Sequence, residues 1–259
     1  MPSQRNPHSL TPAAATARRS SLEKMMEILD LFEEEGMRWT PERMMQRLRV
    51  PRSTLYRYLK VLTDAGLVTS LPDVGYSLGP RIAELDYEMR SSDPLIVDGR
   101  PLLQALVAEV PGVGLLCRHY RGRVLCVHQE GVTREFRSSY ERGRAMPLAQ
   151  GAASRAILAY LKPAQLRRVL LALSGRRNQL EMNEALQRIR RDGYCVTRAE
   201  LTRGVIGIAA PVFDAEGAVI GSLSLTVWDS GVTDRRLAGI VDRIVFSAQV
   251  LSNAMSRRS

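Results

Sequence analysis

Three closely spaced helix starts near the amino end constrain the fold of this chain more than any other feature. Ser20 and Glu23 have the spacing of a capping box, in which each side chain satisfies a free backbone N–H group. Thr40 is a favourable N-cap for a second helix, with Pro41 at its first helical position. Pro51 opens a third helix soon afterwards. Short helices joined by a tight turn are typical of a helix-turn-helix.

The third helix lies in the stretch PRSTLYRYLKVLTDAGLV, and its two faces differ in chemistry. Leu55, Leu59 and Leu62 recur at helical spacing, which predicts the face that packs on the other two helices. The opposite face combines cations with Ser and Tyr side chains, groups that neutralise phosphates and read base edges. The residues expected to contact DNA are Thr40, Arg43, Arg52, Ser53, Thr54, Tyr56, Arg57 and Lys60.

Positive charge is concentrated on the second and third helices. Residues 38–60 contain seven Lys or Arg residues and one acid, whereas the first helix carries the acidic run at residues 33–35. The net charge of the whole chain, +10, also suits a polyanionic partner. The alternative is a solvated charged face on a small helical bundle. The short second helix and the strands that follow favour a DNA-binding surface.

The pattern changes from helical to strand-like after the third helix. Residues 67–78 predict a β-hairpin, which completes a winged helix-turn-helix. A further helix is expected over residues 81–89, and Asp93-Pro94 marks the domain boundary. One apolar stripe of this helix exceeds what the small domain can cover, which predicts a dimer contact. The stripe consists of Ile82, Leu85 and Met89.

The rest of the chain mixes helical and strand periods, which predicts an α+β domain of antiparallel hairpins and separate helices. The expected helices cover residues 95–109, 152–161, 163–173, 180–192 and 233–255. The expected strands cover residues 113–120, 123–129, 136–140, 205–213 and 218–227.

Cysteine use and apolar segments predict a cytoplasmic protein that does not enter a membrane. The three cysteines form no C-x-x-C pair, which fits a reducing compartment. The longest apolar stretches, such as residues 205–212, are too short to span a bilayer. Residues 1–19 lack the apolar segment of a signal peptide and are expected to be a disordered tail.

The chain resembles a known family from about residue 20 to its end. Four segments are similar to the IclR family of bacterial transcriptional regulators. They are the first helix, the third-helix stretch PRSTLYRYLKVLTDAGLV, the wing ending YSLGPRIAEL, and the later GVIGIAAPVFDAEGAVIGSLSL. The resemblance implies a dimer or dimer pair that binds a palindromic operator in double-stranded DNA. It also implies a small-molecule effector and no cofactor.

The domains expected from the resemblance follow the sequence signals described above. The winged helix-turn-helix domain takes residues 20–79, and the linker helix used in dimerisation takes residues 80–93. The effector-binding domain, which is GAF-like, takes residues 94–259.

The resemblance also implies where the effector binds. Backbone amides fall at Ala152 and Ala153, where a loop enters a helix, so their free N–H groups suit a carboxylate. Hydroxyls fall at Ser224 and Thr226, alternate positions that share one face of a strand. Small residues at a helix start and hydroxyls on a strand can also serve packing alone.

Two departures from the family pattern bear on the kind of effector. Members that bind small keto acids carry an aspartate and a cysteine where this chain has Thr197 and Gly207. A loop position that is often histidine is Ala149. A pocket without those polar groups suggests a larger or less polar organic acid, aromatic or longer-chain.

Two other classes of function remain as alternatives for the second domain. If residues 121 and 122 form a two-residue turn, Cys117 faces Cys126, with His119 and His128 on the same face of the ribbon. Such a set could ligate zinc, but it lacks the usual C-x₂₋₄-C unit, and we expect no metal site. An enzyme is also not expected, because the sequence contains no G-x-S-x-G, H-E-x-x-H or P-loop motif.

Overall fold

A computed structural model describes residues 20–33, 38–72, 74–131 and 141–258. It divides the chain into two compact units, Met1–Glu88 and Met89–Ser259. The tail expected over residues 1–19 and the strand expected over residues 136–140 lie outside the described residues.

The first unit begins with three helices and a two-stranded hairpin, as the sequence predicts. Ser20 and Glu23 form the expected capping box: the Glu23 carboxylate accepts from the Ser20 N–H at 2.7 Å, and the Ser20 hydroxyl accepts from the Glu23 N–H at 3.2 Å. Pro51 is the N-cap of the third helix. The elements are α1 (Ser21–Leu31), α2 (Pro41–Leu48), α3 (Arg52–Asp64), β1 (Val68–Leu71) and β2 (Gly75–Leu78). The next helix, α4 (Arg81–Ser92), begins in the first unit and ends in the second.

The core of the first unit lies between α1, α2, α3 and the hairpin. Leu55, Leu59 and Leu62 are fully buried, so the apolar face expected on α3 is confirmed. On α1 the deepest side chains are Ile28 and Leu31. Three partly buried residues pack beside them, whereas Leu22, at the exposed start of the helix, contributes nothing to the core. The partly buried residues are Met25, Leu29 and Phe32.

The hairpin is joined to the start of α2 through Trp39, whose carbonyl accepts from the Tyr76 N–H at 2.9 Å. Gly75 lies against this bridge with φ +105°, and a Cβ there would approach the Trp39 carbonyl oxygen to 2.6 Å. A residue without a side chain is therefore required at this turn. The bridge fixes the position of the wing relative to α2.

The second unit is an antiparallel sheet with helices on both faces. Among the described residues the strand order is β5-β4-β3-β8-β7-β6, and all neighbours are antiparallel. The helices are α5 (Pro94–Glu109), α6 (Ala152–Leu158), α7 (Pro163–Ala172), α8 (Arg176–Asp192) and α9 (Asp234–Arg258). The strands are β3 (Val113–Tyr120), β4 (Arg123–Glu130), β5 (Ala145–Pro147), β6 (Cys195–Arg198), β7 (Val205–Phe213) and β8 (Val219–Trp228).

Separate hydrophobic cores cover the two faces of this sheet. One core joins α6 and α8 to side chains such as Leu115 and Ala209, and the other joins α5 and α9 to side chains such as Leu116 and Ile208. Since neighbouring strand residues face opposite sides, the long strands are apolar at nearly every position. The sequence did not predict the short strands β5 and β6, which pair at the two edges of the sheet.

The part of the chain that the structure describes contains no helix long and apolar enough to cross a membrane.

Candidate functional site

The exposed face of α3 presents the expected cations and aromatic side chains together. Arg52, Ser53, Arg57 and Lys60 are exposed, and the Arg52 guanidinium lies 5.4 Å from the centre of the Tyr56 ring. Thr54, also predicted here, is half-buried at the helix edge. Because the opposite face fills the core, α3 offers one side for binding and uses the other for folding.

Thr40 and Arg43, the remaining predicted contacts, begin α2. The Thr40 hydroxyl accepts from the Arg43 N–H at 3.4 Å and so caps the helix. The Arg43 guanidinium donates to the Arg38 carbonyl at 3.1 Å. Hydrogen bonds from its own backbone N–H and from Thr40 lower the pKa of the Glu42 carboxyl, which stays ionised beside the helix start. The Thr40 side chain therefore has a structural role in capping, whatever contacts it makes with a ligand.

In the second unit, the six residues expected to bind the effector all line one cavity. Ala152, Ala153, Thr197, Gly207, Ser224 and Thr226 surround about 420 Å³ of empty space, including the part that opens to solvent. The sequence did not predict the other lining residues. They are Leu115, Gly151, Glu200, Leu201, Thr202, Val205 and Ile208.

The register of β6, β7 and β8 explains why these distant residues meet. Thr197 pairs with Gly207, and Gly207 pairs with Thr226, so the three lie in one row across the sheet. Ser224, opposite Ala209, lies in the adjacent row on the same face. A Cβ on Gly207 would lie 3.1 Å from the Thr197 hydroxyl and 3.4 Å from the Ala152 Cβ. The missing side chain at Gly207 therefore keeps the space between the sheet and α6 open.

Hydrogen-bonding groups line the cavity from two sides. At the start of α6, Gly151 is an N-cap without a side-chain cap, and the first N–H groups of a helix, here those of Ala152 and Ala153, have no partner within it. On the sheet, the Ser224 hydroxyl is buried and has no hydrogen-bond partner. By contrast, the Ser222 hydroxyl donates to the Ala153 carbonyl at 3.1 Å and joins α6 to the sheet. Donors on one wall and a free hydroxyl on the other suit a small polar ligand.

A loop between β6 and β7 forms another wall of the cavity. Its Glu200 carboxylate accepts from the Arg155 guanidinium of α6 at 2.5 Å, and Arg155 also donates to the Ala149 carbonyl at 3.2 Å. Cys195 lies near this ion pair, and burial raises the pKa of its thiol to about 12. This wall was not predicted from the sequence, because the position of the loop depends on strand β6, which was also not predicted.

The hairpin of β3 and β4, which carries Cys117, His119, Cys126 and His128, differs from its prediction. Cys117 does pair with Cys126, but the register shifts beside them, so that His128 pairs with Leu116 and one residue of β4 is extra. Since paired residues share a face, His128 lies on the side of Leu116, away from the two thiols. The prediction that His119 and His128 share a face is wrong because a bulge cannot be read from the spacing. Among the described residues, no group of three or more His, Cys, Asp or Glu side chains is arranged to hold a metal ion.

Two family models match the chain, one over each unit. Residues 21–72 match the IclR helix-turn-helix domain, and residues 91–253 match the C-terminal domain of the bacterial transcriptional regulator IclR. The chain belongs to the IclR family of bacterial transcriptional regulators. It is a DNA-binding regulator, as the resemblance implied, and its family and relatives give no support to an enzyme.

Individual members of the IclR family align along most of the chain. The HTH-type transcriptional regulator BhcR of Paracoccus denitrificans is 27% identical over 250 residues, covering 92% of this chain and 88% of its own. An IclR transcriptional regulator from Alicyclobacillus acidocaldarius is 25% identical with a TM-score of 0.76, covering 91% of this chain and 98% of its own.

One IclR homologue of known structure was solved with a bound acid. This protein, from Microbacterium hydrocarbonoxydans and complexed with 4-hydroxybenzoate, is 20% identical with a TM-score of 0.77. The match covers 93% of this chain and all of that chain (100%). The α+β fold expected from the sequence, with an amino-terminal helix-turn-helix, is the fold of these relatives.

Proposed function

We propose that this IclR regulator binds a palindromic operator as a homodimer or homotetramer, and that an aromatic or longer-chain organic acid in the cavity changes its affinity for DNA. The observation that carries the effector part is the unpartnered Ser224 hydroxyl, buried in a cavity that also contains the free N–H groups expected at the start of α6. A buried hydroxyl without a partner is costly, and a bound ligand would satisfy it.

The chemistry of the cavity supports this class of acid. Gly207 leaves open the space that a side chain would fill, and Thr197 presents a neutral hydroxyl beside it. The carboxylate would accept from the N–H groups of Ala152 and Ala153 at the start of α6. Ser224 and Thr226 would bind a second polar group. The 4-hydroxybenzoate bound to the Microbacterium homologue is an acid of this kind.

For the DNA part, we assign residues 20–79 to operator binding, with α3 in the major groove and the hairpin as the wing. The exposed cations and Tyr56 on α3 support direct contact with bases and phosphates. Residues 94–259 form the effector-binding domain, which follows the linker helix over residues 80–93. A regulator of chromosomal operators would act in the cytoplasm.

The dimer is supported by the exposed apolar face of α4. Leu85 is 46% exposed and Met89 37% exposed, while Ile82, on the same stripe, is half-buried. A second copy of the chain would cover such a surface, and paired readers suit a two-fold symmetric operator.

A thermal-shift experiment tests the effector part. Benzoate or 4-hydroxybenzoate at 100 times its dissociation constant should stabilise the protein by about 2.7 kcal/mol, whereas glyoxylate and pyruvate should have no effect. The Ser224→Ala variant should lose part of the shift but bind operator DNA normally without ligand. Ser256→Ala, an exposed serine on α9, is the matched control. Stabilisation by the keto acids and not by the aromatic acids would contradict the proposal, as would an unchanged response in Ser224→Ala.

A charge placed on the α4 stripe tests the dimer. Leu85→Asp should give monomers in sedimentation or a severe loss of operator affinity, because the carboxylate would be buried at the interface. Leu171→Asp is the control, since Leu171 is an exposed apolar residue, 70% exposed, on α7 of the second unit. If Leu85→Asp remains dimeric and binds the operator normally, the interface lies elsewhere.

A further inference from the structure

Glu200 gives the effector cavity a charge that the family resemblance did not suggest. Of the thirteen described residues that line the cavity, Glu200 is the only one with a formal charge. The other polar groups of the lining are hydroxyls and backbone amides. The cavity wall is therefore negative at one place and neutral elsewhere, although an acid is expected to bind there.

The position of the Glu200 carboxylate is fixed by its surroundings. Arg155 holds it in an ion pair in which both side chains are 24% exposed. The loop is closed at its base by the Ala199 N–H, which donates to the Val205 carbonyl at 2.8 Å, and Gly204 accepts from the Asp229 N–H at 2.9 Å. Ala199 itself has φ 52°, an uncommon conformation for a residue with a side chain. Glu200 is thus part of a defined wall.

Arg155 and Glu200 carry opposite charges, but the two residues are placed differently with respect to the cavity. Glu200 lines the cavity, while Arg155 is absent from its lining and donates to Glu200 and to the Ala149 carbonyl. Arg155 compensates Glu200 enough for a single anion to bind at the start of α6. A second carboxylate on the same ligand would come close to Glu200 in the wall, and repulsion between like charges is strong in a partly desolvated site.

We propose that Glu200 is a specificity-determining residue that restricts the cavity to acids with one carboxylate and excludes dicarboxylic acids. This inference rests on the proposed function, since it concerns which acids the same cavity binds. Rejection of an unwanted ligand by a like charge is a common source of specificity, because it weakens the competitor more than the preferred ligand.

Calorimetric titration with benzoate and terephthalate (benzene-1,4-dicarboxylate) tests the proposal. The parent protein should bind benzoate at least about tenfold more tightly than terephthalate, and Glu200→Gln should reduce this ratio by about tenfold or more. The control is Glu216→Gln, an exposed glutamate in the turn between β7 and β8, which should leave the ratio unchanged.

Variants of Arg155 separate this role from a purely structural one. Arg155→Gln leaves Glu200 uncompensated and should weaken the binding of both acids, whereas adding Glu200→Gln to it should restore benzoate binding. A purely structural ion pair would instead leave the double variant binding benzoate as weakly as Arg155→Gln alone, and that result would overturn the inference. So would benzoate binding with an unchanged ratio in Glu200→Gln. If none of the variants or the parent binds either acid, the proposed function itself fails.

Discussion

The two units place their candidate functional residues in opposite environments. On α3 the residues assigned to DNA are exposed apart from the half-buried Thr54, and three of them, Arg52, Arg57 and Lys60, are charged. In the second unit the residues assigned to effector binding are small, neutral and enclosed between the sheet and α6, such as Ala152 and Ser224. A surface that meets a polyanion needs charge and reach, whereas a cavity for a small acid needs empty space and a few fixed donors. The same chain therefore separates its two binding functions by burial.

The largest expected effect separates the two faces of α3. Leu59→Ala should lower the free energy of unfolding of the first unit by about 2–5 kcal/mol, because it leaves a cavity in a fully buried site. Tyr56→Ala, on the exposed face, should change stability by about 0.5 kcal/mol or less but weaken DNA binding. Urea denaturation and electrophoretic mobility shifts measure the two properties. Equal stability losses in both variants would show that the faces are not distinct.

The next effect concerns how the exposed cations act on DNA. Arg57→Ala should weaken specific binding by about 1–3 kcal/mol if it reads a base, whereas Lys60→Ala should weaken binding to all sequences and reduce the salt slope by about 1. Affinities for operator and random DNA, each measured over a range of salt concentrations, distinguish the two roles. If both variants bind operator as the parent does, α3 is not the reading helix.

The smallest effect is a pH dependence of stability that comes from a buried thiol of the second unit. The unit contains all three cysteines of the chain. Burial raises the pKa of Cys195 to about 12 in the folded protein. Since the folded pKa lies above the unfolded value of about 8.5, the stabilisation is complete below that pH and is lost as the pH rises.

The expected loss from Cys195 is about 1.4 kcal/mol between pH 7.5 and pH 9.5. Urea unfolding at both values, compared between the parent and Cys195→Ala, measures it as the difference in pH dependence. Trp39 reports on the first unit and Trp228 on the second, so fluorescence of single-tryptophan variants assigns the change. An equal change in the first unit would contradict a thiol origin.

The contrast between the units also explains what could be predicted from the sequence. Helices and long strands follow from periodicity and caps, so β3 and β7 were predicted with the bounds they have. The face proposed to bind DNA was visible because its charge is local in sequence. The cavity was not, because Thr197, Gly207 and Thr226 meet only through pairing across three strands. Their selection came from the family resemblance.

The errors have equally specific causes. The short edge strand β6 is too brief for a periodic signal, and without it the position of Glu200 could not be inferred. The bulge in β4 places His128 on the other face of the sheet, and the residue types around it do not indicate such a shift. Each error arises where tertiary contacts override a local pattern.

The alternation of β8 has a consequence for how such a regulator can evolve. Ser222, Ser224 and Thr226 face α6 and the cavity, while Leu223 and Leu225 face the core beneath α9. The residues proposed to contact the ligand and the residues that build the core therefore alternate along one strand. Changes at the cavity positions, such as exchanges among serine, threonine and alanine, can alter the acid that is sensed without disturbing the leucines. A lineage could acquire a new inducer by single substitutions while every intermediate still folds.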